Sequence, residues 1–445
     1  MIVDHTDVGA AFRRLSIPLA LAMLGDQMLS VVDTIVIGAI GPTALAGATG
    51  AFAIFIAVVF ALFGFGTGIQ IIGAQRVGAH DLPGLGRAVR AGMVIPLAMA
   101  CLVAAAIAAF ARPALHAMLG DVGSLTSSAS YLTWRGLSLI PIVISTSLLT
   151  GFGAAGNRKV SVQALVLINA VHLPLVFVLA LGWLTHIPFG VAGAGISSLL
   201  SEIACAVYLV AYAARHPAYQ IFSSRRIDRT LVLSTAWLSL PEVVFLLAVL
   251  APDIFIVTML APFGVMTVAA FRALNVVSDL TFTVPIPLQD AAQTVIGQRL
   301  GAQDPSGARY FFGRALRVAV LSGFAIGAVV AVLARPIAWL FTFNGAVAAL
   351  AAGPVALHMV TLPIKSYAMV GLAPLRASGD TRFSMFAGLV TSVLVLPVTY
   401  AGVHFFHAGL YAVPIGWICA WVGRAALTSA RLRGGAWALR PTLPA

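Results

Sequence analysis

The sequence predicts an all-α membrane protein with twelve transmembrane helices in two pseudo-symmetric six-helix lobes. Three observations carry that expectation. Of 445 residues, 60% are hydrophobic and only 9% charged, whereas a soluble domain carries about 25% charged residues. Mean hydropathy is +1.02 along the whole chain. A set of loop residues also recurs at one fixed offset. This composition excludes a soluble enzyme, a disordered chain and a nucleic-acid-binding domain.

The spans follow from the apolar runs. About 20 apolar residues cross the hydrocarbon, and a helix pairs its own backbone groups there. Twelve runs qualify: 15–39, 51–74, 91–111, 128–150, 160–182, 190–214, 233–261, 267–295, 315–334, 347–374, 383–405 and 409–430. The alternating pattern of a membrane β-barrel is absent. The first run is too long for a signal peptide and carries Asp26 and Asp33. Cys101, Cys205 and Cys419 all lie in apolar runs, so neither a disulfide framework nor a C-x-x-C site is expected.

Basic residues set the orientation. With the N-terminus in the cytoplasm, 21 of the 26 Lys and Arg fall in cytoplasmic segments. Only Arg112 and Arg335 fall outside; Arg135, Arg272 and Lys365 lie within spans. The formal charge of +12 therefore reports topology, not a polyanionic partner. Both termini are expected in the cytoplasm of a cell (inner) membrane.

The repeat is clearest in two loops. Gln75-Arg76-Val77-Gly78-Ala79-His80-Asp81 matches Gln298-Arg299-Leu300-Gly301-Ala302-Gln303-Asp304, an offset of 299 − 76 = 223. The same offset pairs Pro18 with Pro241, Gly41 with Gly264, Arg112-Pro113 with Arg335-Pro336, Gly156 with Gly379 and Pro174 with Pro397. Chance similarity among apolar segments does not match Arg, Gln and Asp in loops. Six spans per copy return the chain to its starting side, so the copies share one topology, as in two-lobed transporters that alternate access by rocking. The expected division is an N-lobe at 1–214, a cytoplasmic linker at 215–232, a C-lobe at 233–430 and a cytoplasmic tail at 431–445.

Ionisable groups inside the spans are the functional candidates. Each costs roughly 2.5–3.5 kcal/mol at a helix centre on insertion scales, so it faces protein or water. Seven acids fall there: Asp26, Asp33, Glu202, Glu242, Asp253, Asp279 and Asp290. Asp33 is the sharpest candidate, set in the apolar run Val31-Val32-Asp33-Thr34-Ile35-Val36. Asp26 lies two helical turns earlier on the same face. In the eighth span, Arg272, Asn275 and Asp279 share a face; Asp290 comes close to it if the helix stays straight, although Pro285 and Pro287 should kink it. Asp253 projects from the seventh span, where Glu242 reads as reaching the interface. His172 in the fifth span is either packed or coupled. Small residues in Gly64-Phe65-Gly66-Thr67-Gly68 suit close helix contact or bending.

Ser16-Ile17-Pro18, Val32-Asp33-Thr34-Ile35-Val36-Ile37-Gly38, the two Gln-Arg loops and Leu375-Arg376-Ala377-Ser378-Gly379-Asp380 together resemble the multidrug and toxic compound extrusion (MATE) family, most nearly its DinF-type prokaryotic branch. The resemblance runs from about residue 13 to about 430. It implies an exporter of organic compounds in exchange for H+, with Na+ as the alternative. It places the central proton- or cation-binding residue at Asp33 and its partners at Asn169 and Ser198. The branch often carries an aspartate directly before the fifth-span proline, but here Leu173 precedes Pro174 and His172 stands one step earlier. A missing carboxylate disfavours Na+, which wants several oxygen ligands.

The expected partners are small organic substrates, cationic or zwitterionic and amphipathic, and the lipid bilayer. No nucleic acid, cofactor, resident metal or obligate protein partner is expected, and the two halves are compatible with a working monomer. The coupling set is Asp33, Asp26, Asn169, Ser198 and His172. The substrate-cavity set is Arg272, Asn275, Asp279, Asp290 and Asp253. A flippase for lipids or lipid-linked precursors is the competing reading, but three in-span cations against seven acids do not build a basic cavity. An intramembrane enzyme would show H-E-x-x-H, G-x-S-x-G or a comparable catalytic set, and none is present.

Overall fold

The computed structural model describes residues 8–119, 125–184, 186, 188–222 and 227–439. Arg225, Arg226 and Arg440 of the basic census lie outside the described residues. Those described form helices and connecting turns, with no strand among them. The first helices are α1 (Val8–Ile40), α2 (Pro42–Gly64), α3 (Gly66–Gly78), α4 (Leu82–Leu119), α5 (Leu125–Ala154), α6 (Lys159–Leu181) and α7 (Val191–Arg215). The rest are α8 (Arg229–Ala248), α9 (Ala251–Leu260), α10 (Val265–Thr281), α11 (Pro285–Gly301), α12 (Pro305–Val332), α13 (Ala334–Thr342), α14 (Gly345–His358), α15 (Thr361–Ala377), α16 (Thr381–His404) and α17 (Ala412–Leu432). Among the described residues, eleven stretches are long and apolar enough to span a bilayer, and α14 with α15, bent by 44°, makes the twelfth when taken as one.

Several spans are broken, and the breaks have local causes. In the eighth span, three residues separate α10 from α11, and Pro285 opens the new helix. Proline lacks an N–H and crowds the preceding turn. The expected kink is therefore a full break. Asp290 sits on a different helix from Arg272, Asn275 and Asp279, and the straight-helix reading that placed it near their face is corrected.

The second span breaks at Phe65, between α2 and α3. The freed backbone groups are recovered by one hydroxyl: Gly68 N–H donates to Ser239 Oγ at 2.9 Å, and Ser239 Oγ–H donates to Phe65 C=O at 2.9 Å. A hydroxyl repairing a broken helix is what hydrocarbon surroundings demand. The glycines permit the approach. A Cβ on Gly68 would fall 2.3 Å from Thr235 O, and one on Gly64 2.8 Å from Val243 backbone. Close helix contact and bending thus occur together.

Leu21–Val243 form one compact unit, and the chain from Val244 onward, with α1 residues up to Ala20, forms another. The division falls inside α8. The first unit has an apolar core running from Val36 and Phe55 to Tyr131 and Val176. In the second, Leu15 packs with Leu288, Val295 and Phe311. Glu242, read as reaching the interface, is 8% exposed and so is buried.

The duplicated loops adopt one geometry twice. Asp81 Oδ1 accepts from Gly84 N–H at 2.8 Å, and Asp304 Oδ1 accepts from Gly307 N–H at 2.8 Å. Arg76 pairs with Asp81, and Arg299 with Asp304. His80 and Gln303 take the left-handed conformation at φ 60° and 57°, and Gly156 and Gly379 do so at 80° and 83°. The sequence repeat is thus a structural repeat.

Two stability outcomes follow. Gly68→Ala forces a methyl against Thr235 O, and overpacking costs about 1–3 kcal/mol; its thermal midpoint in detergent should fall well below wild type, and an unchanged midpoint would contradict the close approach. Asp304→Ala removes a helix cap worth about 0.5–2 kcal/mol. The Gly307 N–H first, then Arg299 and Ser306, hold the Asp304 carboxyl below the usual carboxylate range. Its contribution is therefore present above the ordinary aspartate value of about 4 and fades as pH falls through the depressed one. The midpoint difference between wild type and Asp304→Ala should shrink on acidification.

Candidate functional site

In the first unit, Asp33 on α1 meets His172 on α6. His172 Nε2 lies 2.7 Å from Asp33 Oδ1; the imidazole is fully buried, and the carboxylate side chain is 13% exposed. Pro174 stands two residues beyond His172, within α6. No described protein group partners His172 Nδ1. A proton on that nitrogen would be a buried donor without an acceptor, which is costly. The pattern therefore assigns a neutral imidazole with its proton on Nε2, donated to Asp33 Oδ1.

Asn169 and Ser198 do not join this pair. Asn169 Nδ2 donates to Leu165 C=O at 2.9 Å, and Ser198 Oγ donates to Ala194 C=O at 3.1 Å, each on its own helix. Such back-bonding is how short polar side chains are satisfied inside helices. Asp26 is exposed. Arg135 on α5 stands within electrostatic reach of Asp26 and of Glu202 on α7. Its guanidinium lies over the Phe55 ring, 4.1 Å from the centroid. Buried Tyr131 feels both Arg135 and Asp33. The first unit thus holds a string of groups: Asp26, Glu202, Arg135, Tyr131, Asp33 and His172.

The second unit has a different set. Asp253, in the first turn of α9, interacts with Asn275 and Arg272 of α10. Asp279 is exposed and interacts with Asp253, Arg272 and Lys365. Asp290 is half-buried on α11, beyond the helix break. His358 Nε2 lies 2.9 Å from Ser278 Oγ, and Lys365 Nζ donates to Thr281 Oγ1 at 3.2 Å. Both His358 and Lys365 are 1% exposed. The Lys365 ammonium is 3.7 Å from the centroid of Phe282 and 5.7 Å from that of Trp421.

Sequence reasoning singled out Arg272, Asn275, Asp279 and Asp253, and the structure brings them together. It did not select Tyr131, Arg135, Glu202, His358 or Lys365 for the site. The usable signal was there: Arg135 and Lys365 are cations at span depth, where ionisable groups are functional candidates by default. Phe282 and Trp421 carried no signal separable from ordinary apolar packing.

The offset of 223 shows where the two copies part. Asp33 and His172 correspond to Ile256 and Val395, which pack in one apolar core of the second unit. Lys365 corresponds to buried Ile142. Arg135 over Phe55 corresponds to His358 beside Ser278, the same contact carried by different chemistry. Loops keep the shared sequence, and the interiors have diverged.

A duplicated all-helical fold with polar groups partnered at span depth is that of a multi-pass membrane protein. A MatE family model matches residues 18–178 and again residues 241–401; the differences 241 − 18 and 401 − 178 are both 223. The chain belongs to the MatE family, whose members are transporters and not enzymes. It is 29% identical over 427 residues to a probable multidrug resistance protein NorM of Burkholderia mallei, covering 91% of this chain and 87% of that one. The corresponding protein of Bradyrhizobium diazoefficiens is 26% identical over 436 residues, with 92% and 88% covered. Among solved structures, one described as an outward-facing conformation of a multidrug resistance MATE family transporter of the MOP superfamily superposes with a TM-score of 0.89 at 20% identity, covering 97% of both chains. A MOP superfamily transporter of Pyrococcus furiosus, described as having a binding pocket of reversed polarity, gives 0.86 at 20% identity, covering 97% of this chain and 96% of that one.

The Asp33–His172 contact is testable by itself. Removing one partner leaves the other buried and unanswered, so a double-mutant cycle of Asp33→Asn and His172→Leu, read by thermal unfolding, should return a coupling of about 1 kcal/mol or more. Additive effects would mean that the two side chains do not interact.

Proposed function

We propose that this transporter is an antiporter that exports organic, amphipathic cationic or zwitterionic compounds from the cytoplasm in exchange for H+, by alternating access of its two lobes. The observation that carries this reading is the Asp33 carboxylate on α1, bonded to a fully buried imidazole. Similarity to proteins named as probable multidrug resistance proteins supports the substrate class. In-span acids outnumber in-span cations, which favours a cationic cargo by charge. The proposal also takes in the DinF-type branch, a bacterial cell membrane, cytoplasmic termini, and lobes at 1–214 and 233–430 joined by 215–232, with a tail at 431–445.

The cycle needs one exchange. With Asp33 ionised, the first unit presents a negative charge oriented by Nε2–H of His172. A proton from the acidic side lands on the free oxygen and cancels that charge. The neutral and charged forms have different solvation costs at span depth, so protonation biases which side the site opens to. Release on the less acidic side resets it. Proton is a better fit than Na+, because the only hydrogen-bond partner of Asp33 among the described residues is a nitrogen, whereas Na+ wants a ring of oxygens.

The test is reconstituted efflux of a fluorescent organic cation under imposed gradients. A pH gradient alone should drive wild-type transport and a Na+ gradient alone should not. Asp33→Asn should insert and fold, yet lose at least about tenfold of the pH-driven rate, the scale on which removing one charge-assisted interaction acts. Undiminished transport by Asp33→Asn would refute its coupling role, and Na+-driven efflux at the wild-type rate would replace H+ as the coupling ion.

A further inference from the structure

Lys365 is an unusual core residue. Its whole side chain is buried, at 1% exposure, in a segment of hydrocarbon depth. A charged side chain almost never sits there unless it is paired. Four groups answer it. Phe282 offers its ring face at 3.7 Å from Nζ, Trp421 lies at 5.7 Å, Thr281 Oγ1 accepts at 3.2 Å, and Asp279 supplies the opposing charge. Trp417 stacks on Trp421 at 6.5 Å and backs the box. His358, on the preceding helix, is within electrostatic reach, and Arg424 lies on Trp421, 5.1 Å from the ring centroid. An aromatic face and a hydroxyl converge on the ammonium, with a carboxylate within electrostatic reach; aromatic faces of this kind are how proteins bind small ammonium ligands. Here the ligand is tethered to the chain. The first unit has no counterpart, because the equivalent residue is Ile142.

We propose that Phe282, Trp421, Thr281 and Asp279 form a site for a small primary ammonium, and that Lys365 fills it as a built-in occupant. The second unit thereby carries its own cation. Ion exchange is left to Asp33 and His172 in the first unit. A chain lacking the tethered ammonium would need a free alkylammonium in its place. The binding half of this inference stands on the ring and hydroxyl contacts of Lys365 Nζ, whereas its transport half rests on the exporter reading given above.

The experiment uses two variants and n-propylammonium, which replaces the atoms from Cγ to Nζ that Lys365→Ala deletes. Propylammonium should raise the thermal midpoint of Lys365→Ala and leave wild type unmoved. In proteoliposomes, Lys365→Ala should lose about tenfold of the efflux rate, the scale of one buried cation–π contact, and recover most of it with propylammonium. Lys365→Met keeps the stem and fills the pocket without a charge; it should lose transport to a similar degree and gain nothing from the amine. Wild-type transport by Lys365→Met would overturn the proposal, and so would a folded Lys365→Ala that the amine neither stabilises nor restores. If Lys365→Ala does not fold, the rate of Lys365→Met decides the matter. If wild type itself shows no gradient-driven efflux, the exporter reading fails, and the thermal shift still decides the ammonium site.

Discussion

The Asp33 carboxylate lies 2.7 Å from the Nε2 of a fully buried imidazole, and that contact constrains the rest of the first unit. A charge at span depth has no water to answer it, so the protein must supply the answer. His172 does so from α6, and the Nδ1 of the ring, without a described partner, keeps the imidazole in one tautomer. A neutral imidazole leaves the net charge of the pair to the carboxylate alone. Arg135, within reach of Asp26 and Glu202, answers two further acids of that unit. The division of labour is physical: one carboxylate is given a neutral partner, and two others share a cation.

The same low-dielectric rule shapes the backbone. Where α2 breaks from α3, Ser239 supplies both the acceptor and the donor that the broken helix lacks. Where α10 breaks from α11, Pro285 takes the first helical position, where an N–H would be unsatisfied anyway. Breaks, caps and charge pairs are separate solutions to one requirement, that no polar group be left alone away from water.

Much of this was legible in the sequence. Composition and hydropathy give the class, and the Gln-Arg loops give the duplication. The loops were readable because polar residues with fixed geometric tasks repeat as letters: Asp81 and Asp304 cap helices, and His80 and Gln303 turn the chain. Asp33 stood out because an acid among Val and Ile is costly at span depth. Its partner was harder to choose. The resemblance pointed to Asn169 and Ser198, yet both spend their side chains on carbonyls of their own helices, a local competition that spacing alone does not reveal. The box around Lys365 was hidden for another reason. Phe282 lies in the break after α10 and Trp421 on α17, and an aromatic residue in a span looks alike whether it packs on lipid, on a core or on an ammonium.

The central claim is that Asp33 is the group that takes up the coupling proton. Infrared difference spectroscopy of the reconstituted protein reads this directly, through the carbonyl stretch that a carboxyl gains when it is protonated. Acidification should produce that band in wild type, and the band should be missing from Asp33→Asn and displaced in His172→Leu. A band of unchanged position and intensity in Asp33→Asn would show that the proton resides elsewhere and would contradict the account.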